Sequence, residues 1–178
     1  MEILKFYFKR IYRISLSFQK QENLFWKDLK KLHLDEHWSH SIYDNDKYIV
    51  TTFEIGEGQL KSFYYMVYDA YFHCTITIIE DYPIDRTTDL FVLAAHFNNL
   101  LSAGVVIVDV SSNSIVYHQK RDLLIPLLDA GELYTQINRH YTTSKDIFSG
   151  FQRLIFNNEE PVMIIADIMT ENQRVNKD

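Results

Sequence analysis

Only one cysteine, Cys74, three prolines and five glycines occur in 178 residues. A single cysteine excludes an internal disulfide, and nothing argues for an oxidising compartment. Five scattered glycines leave no glycine-rich phosphate loop, and neither a G-x-S-x-G nor a C-x-x-C pattern is present. No run approaches the roughly 18 apolar residues of a membrane span. Glu2 and interleaved Lys and Arg residues break up the opening segment, which therefore lacks the apolar stretch of a signal peptide. Positive charge is also short: 18 Lys and Arg stand against 24 Asp and Glu, for a net charge of -6. Such a chain repels phosphate backbones unless its basic residues cluster. Neither nucleic acid nor membrane is expected as a partner, and the expected location is cytoplasmic.

What the chain has in excess is aromatic surface, with 12 Tyr, 12 Phe and 2 Trp. That is more ring area than a core of this size needs, so part of it is expected at an exposed interface. The length suits one domain, 1–178, with a proper core.

Residues 1–18 support two periods. Leu4, Phe6, Phe8, Tyr12, Ile14, Leu16 and Phe18 alternate with polar residues as in a strand, while Leu4, Phe8, Ile11 and Ile14 would also form a helical stripe. We read the segment as extended, a candidate N-terminal extension. From Gln21 to Leu34 the spacing of Leu24, Phe25, Leu29 and Leu32 is helical. Three runs rich in β-branched and aromatic residues follow, Tyr48 to Ile55, LKSFYYMVYDA and YFHCTITII, with reversals expected at Gly56 to Gln59 and at Asp69-Ala70.

After Pro83, a helix from about Thr87 to Leu101 buries Leu90, Ala94, Phe97 and Leu101, with Thr87 or Thr88 as its cap and Gly104 left-handed beyond its end. Val105 to Gln119 then reads as a hairpin turning at Ser111 to Ser114. A helix is expected near Gly131. A second is expected at the capping box Thr143 to Asp146, with the stripe Ile147, Phe148, Phe151, Leu154 and Ile155, closed by Asn157-Asn158. Pro161 opens a last helix through Ile168, beyond which the polar end frays. The fold class is α+β: an antiparallel sheet, made of a three-strand meander plus a β-hairpin, packed against helices.

His33-Leu34-Asp35-Glu36-His37 fits H-x-x-E-H, in which two histidines one helical turn apart hold zinc and the Glu acts as general base, with His40 as a third imidazole. The alternative is a histidine-rich helix end, and the weakening of the helical pattern after Leu34 favours it. We therefore assign no catalytic residue, no metal ligand and no cofactor, and keep a small metal-dependent hydrolase on His33, Glu36 and His37 as a competing function. Glu80, Asp81 and Asp85 fit ordinary turn chemistry ahead of a helix. Asn98 and Asn99 suit side-chain bonds to nearby backbone. His73, His96, His118 and His140 are dispersed, and Cys74 reads as a small buried hydrophobe.

Pro83, Arg86, Ala94, Asn98 and Asn99, then Gly104, Val105 to Val110, Ser114-Ile115-Val116-Tyr117 and the Asp146-Ile147-Phe148 helix together resemble the YbjN-like domain family, whose fold is similar to the type III secretion chaperones. The resemblance spans about Glu22 to Met169. It implies a five-stranded antiparallel sheet with helices against it, frequent dimers and no enzymatic activity common to members. The expected function is a non-enzymatic protein-binding or regulatory domain, chaperone-like, whose partner is a protein, a peptide or a second copy. The candidate contact residues are Tyr64, Tyr65, Tyr68 and Tyr71, with Tyr65 facing opposite to Tyr64 and Tyr68 by alternation. An immunity-type binder of a basic protein is a further alternative.

Overall fold

The computed structural model describes residues 2–123 and 130–175. Five α-helices and six strands are seen among them: α1 (Glu2–Ile14), α2 (Phe18–Asp35), β1 (His40–Tyr43), β2 (Tyr48–Gly56), β3 (Gln59–Tyr68), β4 (Tyr71–Ile79), α3 (Thr87–Leu100), β5 (Val105–Asp109), β6 (Ser114–Asp122), α4 (Ala130–Phe156) and α5 (Pro161–Val175). The strands form one antiparallel sheet in the order β1-β2-β3-β4-β6-β5. This is the α+β class expected, with one strand more than the meander and hairpin supply. The addition is β1, four residues paired with β2 in the register His40↔Thr51 to Tyr43↔Tyr48.

The chain groups into two compact units. The first comprises Met1–Phe53, Ser62–Cys74 and Lys120–His140, and the second Glu54–Lys61, Thr75–Gln119 and Tyr141–Asp178. Strands β2, β3, β4 and β6 and helix α4 each contribute residues to both.

In the first unit the core is aromatic. Alternation on β3 buries Phe63, Tyr65 and Val67, and the same period on β4 buries Phe72 and Cys74. Helix α2 covers this layer with Phe25, Trp26, Leu29, Leu32 and His33, and α4 adds Leu133, Ile137 and His140. Phe25 packs on Phe72 at 5.1 Å between ring centroids, and Phe63 meets His140 edge-on at 5.7 Å. One α2 carboxylate secures two turns: Glu22 accepts from the Ala70 amide at 2.8 Å and from Lys47 Nζ at 3.4 Å. Asp69 and Ala70 both take positive φ, as the tight reversal between β3 and β4 requires.

In the second unit, α3 buries Leu90, Leu93, Ala94 and Phe97, while Leu101 is only half-buried beyond its end. Phe97 faces Phe151 of α4 at 5.8 Å, and Ile164 and Ile168 of α5 are buried in the same unit. Gly58 and Gly104 take positive φ in the turns where glycine was expected. Asn157 donates its amide to the Arg153 carbonyl as α4 ends, Asn158 has φ 57°, and Pro161 is the first residue of α5.

Four local expectations are corrected. Residues 2–14 are helix, not strand: Leu4, Phe8, Ile11 and Ile14 follow the helical period, and a helix satisfies its backbone groups internally without a partner strand. The capping box at Thr143 to Asp146 starts no helix, since one continuous helix runs from Ala130 to Phe156 and the stripe from Ile147 lies in its interior. Neither Thr87 nor Thr88 caps α3: a single 3-10 turn, Ile84–Arg86, leads into the helix, and the Thr87 hydroxyl donates back to the Ile84 carbonyl at 2.6 Å. The last helix continues past Ile168 to Val175.

Candidate functional site

The alternation that buries Tyr65 turns Tyr64, Met66 and Tyr68 outward on β3, with Tyr68 64% exposed. This open face of the first unit extends onto the neighbouring strands. Tyr43 of β1 and Tyr48 of β2 are directly opposed in the ladder, and their rings stack at 4.2 Å with 10° between planes. Partial burial, then the neighbouring Tyr43, Asp46 and Tyr64, raise the pKa of the Tyr48 hydroxyl.

On the other side of β3, His73 of β4 lies 6.3 Å from the Tyr68 ring and 6.2 Å from the Tyr71 ring. Lys120 of β6 places Nζ 3.6 Å above the Tyr71 ring, a close cation–π contact. The surface is thus a band of tyrosines with a methionine among them, bordered by Lys120 beside Tyr71 and by Asp46, Lys47 and Asp69 near Tyr48 and Tyr68. Rings of this kind supply rigid contact area with a hydroxyl at the tip, and methionine adapts its shape to what it meets. The arrangement is suited to holding another chain and carries no nucleophile and base pair.

Of the four tyrosines proposed as contacts, Tyr64 and Tyr68 stand exposed on one face and Tyr71 is half-buried beside Lys120. Tyr65 is removed from that set, because its side chain is fully buried against Phe63 and Phe72. Sequence reasoning named none of Tyr43, Tyr48, Met66 and Lys120 as contacts and set His73 aside as a dispersed histidine. A signal existed for the first two: in Tyr43-Asp-Asn-Asp-Lys-Tyr48 a four-residue turn places the flanking tyrosines opposite each other.

The H-x-x-E-H segment does not assemble. Helix α2 ends at Asp35 and His37 adopts φ 54°, so His33 and His37 do not share a helical face. His33 is buried, donates Nδ1–H to the Leu29 carbonyl at 2.8 Å and packs edge-on to Trp38 at 5.1 Å, while burial lowers its pKa to about 4. Glu36 and His37 are exposed. Among the described residues no three His, Cys, Asp or Glu side chains are grouped to hold a metal ion. Nor do the acidic residues before α3 gather: Glu80 pairs with Lys61 at 3.5 Å and Asp81 occupies a turn at φ 54°.

No family model and no curated protein matches the chain. Solved structures similar to it include YbjN from E. coli, a candidate transcription regulator, at 10% identity and a TM-score of 0.47, covering 67% of this chain and 85% of that one. The fold assignment rests on the observed helices and strands. No helix among the described residues is long and apolar enough to cross a membrane.

Proposed function

We propose that the chain is a single, non-enzymatic, cytoplasmic protein-binding domain of the YbjN-like kind, and that Tyr64, Tyr68 and Tyr71 with Tyr43, Tyr48 and Met66 form its contact surface. The observation that carries this reading is the exposure of Tyr64, Met66 and Tyr68 side by side on β3, next to the stacked Tyr43 and Tyr48. Leaving rings of that size in water is unfavourable unless a partner covers them, and their burial would supply the association energy. The family reading rests on the order of elements and the residues of α3, β5 and β6. The partner would be an extended peptide, a folded protein or a second copy.

The double substitution Tyr64→Ser/Tyr68→Ser tests the surface without touching the core. Light scattering over a concentration range, together with retention of lysate proteins on the immobilised chain, is expected to show an association in the wild type that the double variant loses. Identical behaviour of the two proteins in both measurements would remove the tyrosine face from the proposal.

A further inference from the structure

Helix α1 presents an apolar stripe that the fold does not cover. Leu4, Tyr7, Phe8, Ile11 and Ile14 are all exposed, Phe8 by 67% and Ile11 by 64%, and Phe18 at the start of α2 is exposed as well. At about 100° per residue, positions 4, 7, 8, 11 and 14 fall within one arc of roughly 120°. Position 13 falls on the opposite side. There Arg13 is held against α2, its guanidinium 2.5 Å from Asp28 and mostly buried. The turn into α2 is also fastened, since Gln21 Nε2 donates to the Leu16 carbonyl at 2.8 Å. Arg13 is thus docked against α2, and the arc from Leu4 to Ile14 is held outward.

Charge identifies the occupant. Residues 2–14 contain Lys5, Lys9, Arg10 and Arg13 against Glu2 alone, while the rest of the chain contains fourteen basic and twenty-three acidic residues. Residues 2–14 thus carry a net charge of +3, against -9 for the rest of the chain. Positions 5 and 10 flank the apolar arc on its two sides, and Tyr12, also exposed, lies at its border. An apolar arc with tyrosine at its border and basic residues at its margins is the pattern of a helix lying in the plane of an anionic lipid surface, rings and aliphatic groups in the acyl boundary and cations at the headgroups. A second copy is a poorer occupant. A stable interface takes about 800 Å² and some 20–30 residues from each partner, and a stripe of half a dozen side chains falls well below that. A bilayer needs no matching groove.

We propose that α1 attaches the protein peripherally to anionic membrane surfaces through Leu4, Tyr7, Phe8, Ile11 and Ile14. The attachment is interfacial and spans nothing, and it leaves the tyrosine face to its own partner. Flotation of the full-length chain tests it, using phosphatidylcholine vesicles with and without about 30% phosphatidylserine. Strong binding is expected only to the anionic vesicles, weakened by high salt and reduced about tenfold or more by Phe8→Glu/Ile11→Glu, two exposed positions whose substitution leaves the far-UV spectrum unchanged. The proposal is overturned if the wild type does not float with anionic vesicles, if neutral vesicles bind it equally, or if the double variant binds like the wild type. It is likewise overturned if light scattering shows that the same double variant abolishes a dimer while vesicles bind neither protein, which would make a second copy the occupant.

Discussion

Asn98 and Val106 exchange two hydrogen bonds: the Asn98 amide nitrogen donates to the Val106 carbonyl at 3.0 Å, and the Val106 amide donates to Asn98 Oδ1 at 2.7 Å. Val106 lies on β5, an edge of the sheet, where no further strand among the described residues pairs with it. The side chain stands in for that missing strand and ties α3 to the hairpin that follows it. Asn98→Ala removes both bonds and is expected to cost about 1–3 kcal/mol of stability, read from urea unfolding. An unchanged midpoint would show that water replaces the side chain without loss.

Gly104 has φ 87°, and a Cβ there would sit 2.8 Å from the His118 carbonyl oxygen and 2.7 Å from the Tyr117 ring. Gly104→Ala meets both a left-handed backbone and a neighbour that cannot rotate away, and should destabilise by about 1–3 kcal/mol. Tyr117→Phe is a milder change in the same corner. It keeps the ring and loses the hydroxyl bond to the Ala103 carbonyl, now 3.0 Å long, for about 1 kcal/mol. Thermal unfolding that ranked these two in the reverse order would contradict the account.

Gly150 permits the close approach of α3 and α5 to α4. A Cβ at this position would lie 2.7 Å from Phe97 Cζ and 3.3 Å from Ile164 Cγ2. Gly150→Ala is favourable for helix propensity, yet overpacking is expected to prevail with a net loss of about 1–3 kcal/mol. A gain in melting temperature would mean that the Phe97 ring moves aside at little cost.

His33 supplies a pH dependence whose sign follows from its burial. Its pKa is near 6.5 in an unfolded chain and is lowered to about 4 in the fold, mainly by loss of water and opposed by the Leu29 carbonyl. The unfolded chain therefore binds the additional proton between those values, and stability present above pH 6.5 is lost as pH falls towards 4. The loss attributable to this side chain is about 3 kcal/mol at the lower end. Urea midpoints measured over that range should fall more steeply for the wild type than for His33→Leu, and parallel slopes would refute the assignment.

Asp109 acts in the same direction at lower pH. Its carboxylate accepts from the Ser111 hydroxyl at 2.6 Å and from the Ser111 and Ser112 amides, and these, with the nearby Ser112 hydroxyl, lower its pKa to about 2. Its contribution to the turn after β5 is present above the ordinary carboxylate pKa and disappears as pH falls from about 4 to about 2. A carboxyl titration followed by NMR should place Asp109 well below the other aspartates, and an ordinary midpoint would show that these bonds do not persist in solution.

The turns and their neighbours were legible in the sequence because their chemistry is local. Asp69-Ala70, Gly58 and Gly104 adopt the positive φ that tight reversals demand, and Asn98 reaches backbone only eight residues away. The stripe of α3 was legible for the same reason, since a helical period needs no distant partner to be seen. The candidate site was half visible: alternation separated Tyr65 from Tyr64 and Tyr68. Period alone does not say which face of a strand is covered.

The sequence by itself determined the class of fold, the hairpins and the central helix, all consequences of side-chain period and turn residues a few positions apart. Tertiary structure decided the rest. It made residues 2–14 a helix where alternation had suggested a strand, since both periods are present and a helix needs no partner strand for its backbone groups. It ran α4 through an apparent start signal at Thr143, ended α2 before His37 could join His33, and chose Tyr65 for the core while leaving Tyr64 and Tyr68 in water. Each of these depends on which surfaces meet across long separations in the chain, and burial against a distant partner outweighs the few tenths of a kilocalorie by which local preferences differ.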